Sequence, residues 1–221
     1  MGRRALRKID PQIDLSQHVK VLADLQPPLD VPGWFGREAP LEIEIGSGKG
    51  LFISAAAAAN PDRNFLGCEI AHKYAQFAAA RLARAGIANG RMIDGDALRL
   101  LREFLPDCCA VAVHVYFPDP WWKLRHRKRR VLNTACLQDV TRVLVPGGRL
   151  HFWTDVEEYY QSSLELIRNV TPLVGPLPVS EKAAEHDLDY RTHFERRTRK
   201  AGEPVYRAEF EKPLSAGAAQ A

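Results

Sequence analysis

Residues 41–60 read LEIEIGSGKGLFISAAAAAN. LEIEI has the length and character of a short strand, and LFISAAAAAN is an apolar helix stopped at Asn60-Pro61. Between them stand Gly46, Gly48 and Gly50. Glycine at a strand-to-helix turn permits a tight bend and lets a ligand approach the backbone closely. The spacing G-x-G-x-G differs from the G-x-G-x-x-G of NAD enzymes. Leu51 follows Gly50, so the Lys-Ser/Thr step of a phosphate-binding P-loop is missing. The turn announces an α/β fold and leaves the ligand open.

The same rhythm continues outward. Strand patterns at 64–70, 91–96, 110–117 and 149–155 alternate with helix patterns at 71–86, 97–105, 132–144 and 156–170. Five alternations predict an α/β fold: a mostly parallel, Rossmann-like sheet with helices on both faces. VYRAEFEK (205–212) alternates and is expected to add an antiparallel edge strand. The near-continuous apolar run AVAVHVYF marks a strand buried on both faces. Residues 1–37 are polar and proline-punctuated and read as a partly flexible N-terminal arm, 38–213 as the domain, and 214–221 as a disordered tail.

Composition narrows the partners. The 221 residues are 46% hydrophobic and 26% charged, ordinary for a globular domain. No apolar run reaches the roughly 20 residues of a membrane helix, and no signal peptide is recognisable, so a cytoplasmic location is expected, as a monomer or homodimer. The four cysteines form no C-x-x-C pair, predict no metal site, and read as small buried residues. The net charge of +4 hides two basic blocks. Residues 123–130 carry +6 and residues 191–200 carry +4, which leaves −6 on the rest of the chain. Such asymmetry suggests an anionic partner met at one place, and nucleic acid fits better than a membrane surface.

In open parallel sheets, ligands bind beyond the carboxyl ends of the strands, and acids cluster there. Glu69 ends the second strand of the rhythm, about 20 residues after the glycines, where an acid reaches the ribose hydroxyls of an adenosine-containing ligand. Asp96 follows the third and could meet an adenine amino group. Glu44 lies inside the first and needs a partner, either a cationic cofactor or a nearby lysine such as Lys49. Asp119 follows the fourth, within YFPDPWWKLRHRKRR (116–130), and Asp155 follows the fifth. His114, within the fourth strand, reads as a satisfied interior histidine. Of Trp121 and Trp122, one is expected to stack on a base and the other to pack the loop.

Taken together, EIGSGKG, GCEI, GDAL, YFPDPWWKLRHRKRR, GGRLHFWTD and THFERR resemble the bacterial tRNA (guanine-N7-)-methyltransferase family over residues 41–212. The resemblance implies the class I S-adenosylmethionine-dependent methyltransferase fold and transfer of a methyl group to N7 of a guanine in the variable loop of tRNA (position 46 in tRNA convention). It implies cofactor contacts at Glu44, Glu69, Asp96 and Asp119, joined by the Gly46, Gly48 and Gly50 turn, with Asp119 as the catalytic acidic residue. It implies guanine or tRNA contacts at Lys123, Asp155, Thr192, His193, Phe194 and Glu195. Arg125, His126, Arg127, Lys128, Arg129 and Arg130 would form the RNA-facing patch. The family's usual T-K-F-E reads Thr192-His193-Phe194-Glu195 here, so a fixed cation becomes titratable.

Two rivals have distinguishing marks. An amino-group methyltransferase often carries Asn/Asp-Pro-Pro-aromatic after the fourth strand, close to Pro118-Asp119-Pro120-Trp121, and would act on another RNA or base atom. A non-catalytic RNA-binding protein on the same fold would have no need for the glycine turn and the strand-end acids. An NAD oxidoreductase leaves the basic run unexplained.

Overall fold

The computed structural model describes residues 6, 8–179 and 191–214. The tail expected to be disordered and the first residues of the arm lie outside them, apart from Leu214.

Eight strands form one sheet in the order β1-β4-β3-β2-β5-β6-β8-β7. They are β1 (Val19–Val21), β2 (Leu41–Ile45), β3 (Asn64–Glu69), β4 (Gly90–Asp94), β5 (Ala110–Tyr116), β6 (Leu144–Thr154), β7 (Val174–Leu177) and β8 (Tyr206–Glu211). β1 to β6 pair in parallel, while β8 pairs antiparallel with both β6 and β7. The late strand at 205–212 is therefore one position in from the edge, because Val174–Leu177 takes the outer side.

The helices are α1 (Val31–Phe35), α2 (Leu51–Ala59), α3 (His72–Arg84), α4 (Ala97–Arg99), α5 (Thr134–Val143), α6 (Glu157–Val170) and α7 (His193–Lys200). The helix expected at 97–105 is one short α segment running into a wider π turn over Leu100–Phe104. α3 lays Ala75, Ala78, Ala79, Ala80 and Leu82 against the sheet. Small side chains there let helix and sheet approach closely.

Residues 19–35 belong to this architecture. β1 pairs with β4, and Leu22, Leu29, Val31, Trp34 and Phe35 join the main core. The Asp30 side chain caps α1 by accepting from the Gly33 amide at 2.9 Å. Cys68 and Cys136 are buried as expected, whereas Cys108 is exposed.

The strand order reverses between β2 and β5. From β2 the chain steps through β3 to β4 on one side, then crosses to β5 and β6 on the other. A crevice opens at such a switch, beyond the strand ends. Its two walls are the loops that follow β2 and β5.

Candidate active site at the strand-order switch

The wall after β2 is the glycine turn. Gly46, Gly48 and Gly50 all have positive φ, at 77°, 52° and 69°. That region is open to glycine and strained for side-chain-bearing residues. A β-carbon at Gly46 or Gly48 would meet no atom within 4 Å, so the turn presents bare backbone to the crevice. Glu69, at the end of β3, braces it: one carboxylate oxygen accepts from the Gly48 amide and the other from the Ala71 amide, both at 2.8 Å. Just beyond, Ile70 is 73% exposed, an apolar side chain held at the surface beside the acid. The sequence reading passed over it; an isoleucine directly after a strand-end acid was the available signal. Asp96 caps α4 through the Leu98 amide at 2.9 Å.

Glu44 is the anomaly of this wall. It is buried in β2, and its Oε2 has no hydrogen-bond partner among the described residues. Burial pushes its carboxyl up to about 8, opposed by the Ser47 hydroxyl and reinforced by the nearby Glu69. Lys49 does not neutralise it: the ammonium lies over the Tyr74 ring, 6.0 Å from the centroid. A buried acid with one oxygen left without a partner, beside an open backbone turn, fits a ligand that brings positive charge or N–H donors.

The wall after β5 is built differently. Phe117 and Trp121 have φ of 49° and 45°, a strained region for bulky residues. They bracket Pro118-Asp119-Pro120, and Asp119 is exposed with no hydrogen-bond partner among the described residues. Trp121 is half-buried, edge-on to His126 at 5.9 Å and covered by the Arg129 guanidinium at 5.0 Å. Trp122 is 67% exposed, so Trp121 is the one that packs the loop and Trp122 stands out in solvent. The basic run forms a 3-10 helix over Leu124–Arg129. Lys123, Arg125, Arg127, Lys128 and Arg129 are exposed and His126 half-buried. Arg127 pairs with Glu158 at 3.1 Å.

Two expected contacts lie inside the fold. Arg130 is 7% exposed, so it does not share the RNA-facing position expected of it. Its guanidinium donates to the Pro120 carbonyl at 2.8 Å and to Glu158 at 2.6 Å, and sits 4.4 Å from the Tyr159 ring centroid. Glu195 is 2% exposed. It accepts from the Arg191 amide at 2.6 Å, and Arg199 and Arg207 approach its other oxygen at 3.4 and 3.5 Å. Thr192 caps α7 by accepting from the Glu195 amide at 3.0 Å. Thr192 and Glu195 thus shape the start of α7, with Glu195 enclosed beneath it. Phe194, 49% exposed, stacks on Phe117 with centroids 6.2 Å apart, which brings α7 to the Asp119 loop. The side chain of His193 lies outside the described residues. Asp155 is half-buried beyond the end of β6.

Parallel pairing of β2 to β6 puts the glycine turn, Glu69, Asp96, the Asp119 loop and Asp155 at one edge of the sheet. No group of three potential ligands among the described residues could hold a metal, and no described helix is long and apolar enough to cross a membrane.

This architecture, with acids at the ends of successive parallel strands around a glycine turn, is that of the class I S-adenosylmethionine-dependent methyltransferases. Solved structures agree on the fold: the aminoglycoside resistance methyltransferase NpmB1 superimposes with a TM-score of 0.53 at 18% identity, covering 78% of this chain and 87% of that one. A 30S ribosomal A1408 methyltransferase from an uncultured bacterium gives 0.52 at 16% identity, covering 83% and 92%. A family model described as "Putative methyltransferase" matches residues 38–208. The tRNA (guanine-N(7)-)-methyltransferase of Rhodopirellula baltica is 50% identical over 218 residues, 96% of this chain and 80% of that protein. That of Cupriavidus necator is 39% identical over 84% of this chain and 71% of its own. The chain belongs to the tRNA (guanine-N(7)-)-methyltransferase family.

Proposed function

We infer that this protein transfers a methyl group from S-adenosyl-L-methionine to N7 of a guanine in tRNA, in the variable loop, and works in the cytoplasm as a monomer or homodimer. What carries the reading is one arrangement. An exposed acid between two prolines, Asp119, stands on the loop after β5, the strand beside the one that ends in the glycine turn, and the same loop leads into an exposed basic helix. The substrate follows from the relatives, which carry that reaction in their names over most of this chain.

S-adenosylmethionine, when bound, supplies an electrophilic methyl group on a sulfonium. Glu44 fits its charged amino-acid end, Glu69 its ribose hydroxyls, Ile70 and Asp96 its adenine. Guanine N7 is a lone-pair acceptor with no proton to remove. The residues around it therefore have to align and manage charge, and alignment alone can contribute about 7–11 kcal/mol in favourable cases. Positive charge moves onto the purine ring in the transition state. A fixed Asp119 carboxylate accepting from guanine N–H groups grips harder as that charge grows. Asp155 is the second candidate for this clamp. Arg125, Lys128 and their neighbours meet phosphates, and Trp122 is free to stack on an unpaired base.

Asp119→Asn tests the role. The expected result is a kcat lowered by about 100-fold or more, with affinities for S-adenosylmethionine and tRNA within twofold of wild type. Near-normal turnover on unmodified tRNA, followed with labelled methyl donor and mapped by cleavage at N7-methylguanine, would overturn it.

A further inference from the structure

One face of the sheet carries a chain of buried polar groups that the reaction as described does not use. Arg63 donates to Glu42 Oε1 at 2.6 Å. Glu42 Oε2 lies 2.8 Å from His114 Nε2, and His114 Nδ1 lies 2.8 Å from the Tyr116 hydroxyl. Arg191 donates to that hydroxyl at 2.7 Å. Four hydrogen bonds thus run from Arg63, just before β3, through β2 and β5 to Arg191, the residue that precedes the Thr192–Glu195 segment.

The polarity of the chain is forced. Burial works against ionisation of Glu42, but the bonds from His114 and Arg63 outweigh it and hold the carboxyl at about 2. A carboxylate only accepts. Burial lowers His114 to about 4, so its ring is neutral at physiological pH and owns one proton. That proton must sit on Nε2, facing Glu42. Nδ1 is then the acceptor for the Tyr116 O–H, and the Tyr116 oxygen is left to accept from Arg191. Every member is satisfied in one direction only, and removing one strands its neighbours in a buried setting.

The far end of the chain is anchored in place. The Arg191 guanidinium lies 4.8 Å from the Trp153 ring centroid, and its backbone amide is held by Glu195. Tyr116 packs edge-on against Phe52 and Trp153 at 5.0 and 5.1 Å. The next residue is Phe117, the strained corner before Asp119, which also carries the stack on Phe194.

We propose that Tyr116 and His114 are positioning residues of the methyl transfer: they fix Arg191, and through it the 191–195 segment, against the strand end that presents Asp119. Aromatic packing alone would hold β5 in the sheet. The hydroxyl and the imidazole add a defined distance between the two parts of the guanine side of the crevice. The inference rests on the assignment of that side to the guanine.

The test is a double-mutant cycle on tRNA methylation with Tyr116→Phe and Arg191→Met. Tyr116→Phe keeps the ring and its packing and removes two links of the chain. Each single variant is expected to lower kcat/KM for tRNA by about tenfold, with the KM for S-adenosylmethionine within twofold of wild type. The double variant is expected to be no worse than the worse single one, because both changes cut the same chain. Independent, multiplying losses would overturn the proposal. So would a parallel loss of S-adenosylmethionine binding, which a general defect in the sheet would produce, or wild-type kinetics in Tyr116→Phe. Arg191→Gln replaces Arg191→Met if the latter does not fold. Wild-type protein that yields no N7-methylguanine would sink the parent assignment instead, since the cycle is read only relative to wild type.

Discussion

The two loops that face each other across the strand-order switch are built on opposite plans. The loop after β2 takes its positive φ angles at Gly46, Gly48 and Gly50, which adopt them without side-chain strain, and one acid, Glu69, braces it at the Gly48 amide. The loop after β5 puts comparable angles on Phe117 and Trp121. It holds them with side chains: Arg130 on the Pro120 carbonyl, itself tied to Glu158 of α6, Phe194 of α7 on Phe117, and Arg129 and His126 around Trp121. A cofactor common to many substrates can be met by a turn of glycines fixed by one acid. A guanine must be met together with the RNA around it. The substrate wall is therefore wired to the basic helix and to α7, and is held by contacts that substrate binding can adjust.

The comparison breaks first at Gly50. A β-carbon there would lie 2.6 Å from Ala78 Cβ and 3.0 Å from its Cα, on a backbone with φ of 69°. α3 is packed tightly at that point, so the clash falls on backbone that cannot turn aside. Gly50→Ala is expected to lose about 3 kcal/mol of stability from left-handed strain and overpacking combined, read by denaturant unfolding, with S-adenosylmethionine binding lost alongside. A variant as stable as wild type would mean that the turn needs no glycine at this position.

A second difference is electrostatic. Glu44 on the cofactor wall is buried and unpaired, while Asp119 on the substrate wall is exposed. The Glu44 carboxyl titrates near 8 in the folded protein against an ordinary value of 4.5. Between those values the unfolded chain sheds a proton that the folded one keeps. This group therefore makes stability fall as pH rises through the window, by on the order of 1 kcal/mol per pH unit. Glu44→Gln removes the titration and keeps the shape. The stability curve of the variant should gain on wild type steadily from pH 5 to pH 8, while its affinity for S-adenosylmethionine drops about tenfold. Parallel pH curves for the two proteins would mean that Glu44 is already ionised and paired.

The same contrast explains what the sequence could reveal. The cofactor wall is a local pattern, so its glycines and the acids at strand ends could be read residue by residue. The basic run was legible as charge, yet the fate of Arg130 was not, because its partner Glu158 lies 28 positions away. Arg191 meets Tyr116 across 75 positions, and no spacing rule reaches that far. Thr192 and Glu195 could have been read as a helix cap from T-x-x-E; Thr192 caps α7 in that way, while the Glu195 side chain reaches one residue further back, to the Arg191 amide. β1 escaped notice because three residues of a polar segment become a strand only where β4 offers an edge. β7 escaped because Gly175 and Pro176 interrupt any strand pattern.

The smallest expected effect, and the most specific to the substrate wall, belongs to Arg130. It is the one cation of the 123–130 run whose side chain is buried, and its hydrogen bond to the Pro120 carbonyl sits one residue from Asp119. Arg130→Met fills most of the same volume against Tyr159 but releases that carbonyl and the Glu158 pair. Glu158 is half-exposed and stays hydrated, so the fold should survive. The Asp119 loop then loses its long-range anchor while the glycine turn is untouched. The expected outcome is a fall of about tenfold in kcat/KM for tRNA, carried mainly by kcat, with S-adenosylmethionine affinity unchanged and the salt dependence of tRNA binding kept. A changed salt slope would return Arg130 to the phosphate-binding surface. Weakened S-adenosylmethionine binding would show that the two walls are coupled, and the contrast between a wall built on glycines and one held by side chains would fail.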